Sequence, residues 1–246
     1  MPTLQESLLQ VTDRKHHWAY PVLTRPGLTR EQLLVHFRHE FLVYVRDFPA
    51  LLGTVLGITP PVDAVRRALA ANLYEEQTGG LSGTDAHPTL FLRMMAGLGF
   101  EPSAFADDDD WLHPAARRYR DMLRSRSGMA PWQAAVALLT VFVEGSVHER
   151  AELAGTYVRP TGEDAVRQHA LVRLYGCPPD AMTLTRAHAR VEGDHRGDAW
   201  RMVLEHAPEG GSEARAVVAT CQEACALWHA YRDGVADRMG LRRQAA

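Results

Sequence analysis

The 246-residue chain predicts an all-α fold, and three observations carry that prediction. Apolar residues recur at three- and four-residue spacing over almost the whole length, as in helices that bury one face. No stretch alternates apolar and polar residues as a half-buried strand does. Proline and glycine punctuate the ends of the periodic segments and do not gather in a linker. Together they predict one domain over residues 1–246, a bundle of seven or more helices.

The elements follow in order. Thr29-Arg30-Glu31-Gln32 has the form of a capping box, and Leu33, Leu34, Phe37, Phe41, Leu42 and Val45 give its helix an apolar side to about Leu56. Thr59-Pro60-Pro61 stops it. Val62 to about Gln77 is next, closed by Thr78-Gly79-Gly80. Pro88 suits the first turn of a short helix to Leu98, where Gly99 is a natural cap. Asp107 to Asp110 reads as a solvated loop, and Pro114 to Arg126 as a helix. Pro131 opens a long helix through Tyr157 with Glu144 at its middle. Gly162 to Tyr175 follows, Cys177-Pro178-Pro179 is a break, Thr183 to His206 is a helix, and Glu213 to about Gly240 is the last.

Composition narrows the function. Hydrophobic content of 46%, charged content of 23% and a net charge of −3 offer no electrostatic footprint for nucleic acid or an anionic membrane. Lys15 is the only lysine. The start, Met1-Pro2-Thr3-Leu4-Gln5-Glu6, has neither the charged nor the apolar region of a signal peptide. No apolar run approaches the roughly 20 residues that span a bilayer. Three cysteines form no disulfide framework, so the expected compartment is the reducing cytoplasm.

His188, Glu192 and His195 lie at i, i+4 and i+7, one column of a helix, which is half of a transition-metal site. Asn72-Leu73-Tyr74-Glu75-Glu76 followed by His87, and Glu144 after the apolar run Val136 to Val143, can supply the rest. A carboxylate inside such a run is costly unless it is paired or metal-bound. Of Glu75 and Glu76, one can turn inward while the other meets water. Nitrogen and carboxylate donors without thiolate suit iron or manganese better than structural zinc, and the reading is a non-haem diiron oxygenase.

These motifs, in this order, resemble the haem-oxygenase-like diiron oxidases, whose fold is shared with the TenA thiaminases and the pyrroloquinoline-quinone synthase. The resemblance spans Leu28 to Leu33, Asp47-Phe48-Pro49, Asn72 to Glu76 with Gly79, His87 to Leu90, Leu98-Gly99, Glu144 and the His188–Glu192–His195 triplet. It implies Glu76 (with Glu75 still open), His87, Glu144, His188, Glu192 and His195 as ligands of two Fe ions. The family more often has aspartate where Glu192 stands. In amine-oxidising members an extra carboxylate joins the iron from the region of Glu40, Tyr44 and Asp47, so Asp47 is a further candidate ligand. Glu76, Glu144 and Tyr44 are the expected catalytic groups. O2 is the implied cosubstrate, with electrons from a reductase or small donor and a homodimer as the family's expectation.

Known reactions of the family include N-oxygenation of amines, amino-acid fragmentation and fatty-acid decarboxylation. N-oxygenation of a small amine or amino acid is favoured here, with C–C cleavage or decarboxylation as the alternative and a non-catalytic binding protein as the rival class. Metal-free members of the fold lack a ligand set such as this one, and no thiaminase-type cysteine is in a matching place. Tyr20 stands where para-aminobenzoate-forming members carry a consumed tyrosine, but those members also use a lysine near the mid-chain glutamate, and Lys15 is far from it in sequence. His148, His113, His169, His206 and His229 are expected to be structural or exposed.

Overall fold

The computed structural model describes residues 2–160 and 162–243, and the side chains of residues 192–196 lie outside that description. Its described residues form thirteen α-helices and no strand. Two precede the first helix read from the sequence: α1 (Leu4–Arg14), capped by the Thr3 hydroxyl, and the single turn α2 (Tyr20–Leu23). α3 (Arg30–Glu40) starts on the expected capping box, with Gln32 N donating to Thr29 Oγ1 at 3.2 Å and Thr29 N to Gln32 Oε1 at 2.8 Å. Then come α4 (Phe48–Ile58), α5 (Asp63–Thr78), α6 (His87–Gly97), α7 (Pro114–Met129), α8 (Trp132–Val136) and α9 (Glu149–Leu153). α10 (Gly162–Gln168), α11 (Ala170–Tyr175), α12 (Thr183–His206) and α13 (Ser212–Arg238) complete the chain.

Two expected helices are interrupted, and in the same way. The helix from Thr29 converts to π-helical turns over Phe41–Val45, and the helix from Pro131 does so over Ala137–Val143. Arg46 N bonds Phe41 O at 3.0 Å and Glu144 N bonds Leu139 O at 3.1 Å, each five residues back. One inserted residue turns the following side chains onto a new face, which is why such turns gather at functional sites. Apolar periodicity does not register it, because nearly every residue of both segments is apolar and buried or half-buried. The second helix also ends early. After Glu144 the chain turns at Gly145, where any Cβ would lie 1.9 Å from Val141 O, and helix resumes only at α9. The helix expected over 162–175 is split at His169, whose ring caps α11 by accepting from Leu171 N.

The core forms around α13, which packs on α7, α8, α1 and the Ala137–Val143 turns. α12 packs on α5, α6, α8 and the same turns, so it faces the middle of the bundle. Tyr119, Tyr231, Phe142, Leu52, Leu69 and Leu138 are completely buried there. All three cysteines are free and buried. Arg30–Ile58, read as one 29-residue stretch, is long and apolar enough to cross a membrane by length and composition, contrary to expectation. Its apolar side chains Leu42, Val43, Leu51, Leu52 and Val55 are buried in the bundle, which accounts for the composition.

Candidate metal centre

The site begins where α5 ends. Gly79 closes that helix with φ +66°, and a Cβ there would meet Asp85 O at 2.5 Å, so only glycine lets the loop fold back beneath the last turn. The fold-back delivers the backbone N–H groups of Leu81 and Ser82 to Glu75 Oε2, at 2.8 and 2.9 Å. It also returns the chain to α6, whose first residue is His87. Glu75 Oε1 lies 3.0 Å from His87 Nε2, and Glu76 Oε1 lies 2.8 Å from His87 Nδ1. Burial alone would raise the Glu75 pKa, but hydrogen bonds from Ser82, His87 and Leu81 outweigh it and hold the carboxyl below its ordinary value. Burial likewise pulls His87 down, and Glu76 and then Glu75 more than compensate, leaving its pKa raised. The pocket thus favours positive charge at His87.

α12 brings the second imidazole. His188 Nε2 is 3.2 Å from His87 Nδ1, with the rings edge-on at 4.8 Å between centroids. The donor atoms of Glu76, His87 and His188 all lie within 4.8 Å of one another. Two residues on, Arg190 donates to Ser82 O at 2.9 Å and ties α12 to the loop after Gly79. Glu144 enters from the end of the Ala137–Val143 turns, where Asn72 Nδ2 donates to both its carboxylate oxygens at 3.1 Å. The buried Asn72 Oδ1 has no hydrogen-bond partner among the described residues. All four groups line one cavity of about 240 Å³, walled otherwise by Tyr44, Val45, Phe48, Thr140, Val143, Leu184 and Val191.

This donor set fits a metal ion. Glu75 accepts from Nε2–H of His87, so loss of the Nδ1 proton that Glu76 accepts would leave a lone pair on the side where Glu76 and His188 converge. A carboxylate behind a metal-binding histidine commonly fixes its tautomer in this way. Two imidazole nitrogens and a carboxylate within bridging distance, beside a second carboxylate, suit iron. The sequence profile of the iron-containing redox enzymes matches residues 35–229. The chain belongs to that family. No curated protein matches the chain. Family membership makes it an oxidoreductase with a haem-oxygenase-like helical fold.

In this iron-containing redox enzyme the sequence-derived residues fall into three groups. Glu76, His87, Glu144 and His188 are brought together. Glu192 and His195 lie outside the described residues. Asp47 is not brought to the cluster: Arg46 Nε donates to its Oδ1 at 2.7 Å and Arg124 Nη2 to its Oδ2 at 2.6 Å, and it is not among the residues lining the cavity. Glu40 is also occupied, by Arg232 at 2.8 Å. Tyr44 does line the cavity, but its phenolic oxygen accepts from Arg232 Nη2 at 3.2 Å and its hydroxyl bonds Glu40. Of the pair, Glu75 is the one turned inward and fully buried, and Glu76 is partly exposed on the cavity side.

Several residues with roles here were missed. The sequence pattern gives Asn72 no role, offers Glu75 only as a ligand and gives Lys15 none. The remaining histidines behave as expected of structural or exposed groups. His113 and His169 cap helices, His148 is exposed and stacks on Tyr157 at 4.3 Å, and His229 bonds Arg14 O. Tyr20 packs against Arg232 and Trp228.

Proposed function

We propose that this enzyme holds two irons and uses O2 to oxidise a small amine, with N-oxygenation the favoured reaction. The observation that carries the reading is the gathering of Glu76, His87, His188 and Glu144 in one cavity whose other lining residues are mostly apolar. The proposed ligands are these four with Glu192 and His195 from the sequence pattern. Bound iron would supply the activation of O2 that protein side chains cannot.

The chain's own residues do the rest. Glu75 keeps the His87 Nδ1 lone pair aimed at the centre, and Asn72 fixes the Glu144 carboxylate. Val45, Phe48, Val143, Leu184 and Val191 exclude water from the reacting volume. No lysine or arginine is among the described lining residues, whereas Glu76 and Glu144 are. A cavity of this volume sits at the small end of ligand pockets. Electrons come from an external reductase or small donor, and the working compartment is the cytoplasm.

Anaerobic Fe(II) titration followed by O2, with a panel of primary amines and matched carboxylic acids, tests this. The expected result is about two irons per chain and hydroxylamine or nitro products from an amine. Release of an alkene, aldehyde or carbon dioxide would instead assign the oxidative C–C cleaving or decarboxylating reaction. Failure to take up iron would leave a helical binding protein.

A further inference from the structure

Lys15 stands out by composition and by place. It is the only lysine among 27 lysines and arginines, and it is buried, at 7% exposure, in the residue that follows α1. Its ammonium donates to three backbone carbonyls of one short segment, Phe142 O at 2.6 Å, Val143 O at 2.9 Å and Gly145 O at 2.9 Å. Those carbonyls flank Glu144 on both sides. They lie where the π-helical turns stop and the helix does not continue, so no later N–H of a regular helix reaches them. Buried carbonyls left without donors are costly.

We infer that Lys15 is a positioning residue for the metal centre, clamping the backbone that presents Glu144. The inference rests on the proposed metal reading. An ammonium has three donors arranged as a pyramid, which matches three converging carbonyls, whereas the flat fork of arginine does not. That accounts for a lysine at this one position in a chain that uses arginine at every other basic position. Its own backbone is fixed in turn, since Trp228 Nε1 donates to Lys15 O at 3.0 Å and the ammonium lies 5.1 Å from the Phe142 ring centre and 5.2 Å from that of Trp228. The far side of the same turn is held by Glu149, which accepts from Ser146 N at 3.2 Å and from Trp200 Nε1 of α12 at 2.8 Å. Glu144 thus sits on a loop tied to α1 on one side and to the ligand-bearing α12 on the other.

Charge and geometry make opposite forecasts for removal of this ammonium. A bystander cation near a metal site weakens cation binding, so its loss leaves metal affinity unchanged or tighter. Loss of a clamp lets Glu144 move and weakens it. Lys15→Met and Lys15→Arg are compared with wild type by anaerobic Fe(II) and Co(II) titration, well below the unfolding midpoint, with far-ultraviolet circular dichroism on the same samples. The expected result is folded Lys15→Met with at least tenfold weaker binding and an altered Co(II) absorption spectrum, and Lys15→Arg between it and wild type. Affinity for Lys15→Met equal to or tighter than wild type, with an unchanged spectrum, overturns the role of Lys15 alone. Wild type that binds no metal overturns the metal reading as well.

Should neither variant fold, the wild-type protein still decides. Labelling with ¹⁵Nζ-lysine gives a single ammonium resonance, since the chain has one lysine. A shift of that resonance on addition of Zn(II), which is diamagnetic, is the expected outcome. A resonance that does not respond to Zn(II) refutes the coupling.

Discussion

Glu75→Gln conserves volume and alters one atom pair, which makes it the sharpest test of how His87 is held. The Glu75 carboxylate accepts three hydrogen bonds, two at Oε2 from the backbone of Leu81 and Ser82 and one at Oε1 from His87 Nε2. A glutamine has one oxygen to offer. Two backbone donors outbid one ring donor for it, so the amide nitrogen is left facing Nε2. Two N–H groups cannot face each other at 3.0 Å, and the ring resolves the conflict by moving its proton to Nδ1. That removes the lone pair from the side where Glu76 and His188 converge. Loss of such an orienting partner costs about 10–100-fold in metal affinity, or about 1.4–2.7 kcal/mol. The assay is anaerobic Fe(II) titration of the variant beside wild type, with thermal unfolding to show that the fold is kept. Affinity within twofold of wild type, in a folded variant, would refute the assignment of Glu75 as the group that sets the His87 tautomer.

Three other outcomes are expected. Asp47→Asn should leave iron uptake within twofold of wild type, because Arg46 and Arg124 already hold that carboxylate outside the cavity wall; loss of an iron equivalent on titration would identify it as a ligand. Burial, opposed by Glu40, pulls the His36 pKa from 6.5 to about 4, so the unfolded chain takes up the proton first. Stability therefore falls as pH drops from about 6.5 to 4, by up to about 3 kcal/mol from this residue, and His36→Gln should flatten that slope in urea midpoints measured across the window. Removal of metal by a chelator should lower the unfolding midpoint only through the linkage of binding to folding and leave helicity intact by circular dichroism; collapse of the helices on chelation would contradict a centre whose described donors are already paired within the protein.

The architecture was legible because it is written in features that repeat: periodicity, caps and breakers recur in every helix, and the capping box at Thr29 appears as read. The site was partly legible. Glu144 drew attention because a carboxylate in an apolar run needs a reason, and His87 and His188 because histidines at helix starts and in columns suggest ligands. What the chain does not display is register. The π-helical turns over Phe41–Val45 and Ala137–Val143 change side-chain direction without changing composition, so helices read as continuous are broken beside the cavity. The partners of Asp47 are illegible for a related reason. Its place in a motif says nothing of the two arginines, one adjacent and one on α7, that claim its charge.

Glu75 and Glu76 show how far a sequence motif can go and where geometry must take over. Adjacent residues on a helix point about 100° apart, as its 3.6-residue turn requires, so a pair of carboxylates at its end cannot both enter one cavity in the same way. Which of them enters is set by the chain that follows. Gly79 turns the loop back so that two N–H groups meet Glu75, and this converts a costly buried charge into a bonded one. Once Glu75 is fixed in that role, its second oxygen can do nothing but hold His87, and Glu76 is left as the carboxylate on the cavity side. The division of labour between two chemically identical neighbours thus follows from one left-handed glycine three residues after Glu76. A side chain at that position would displace the loop from Glu75 before it affected any ligand directly.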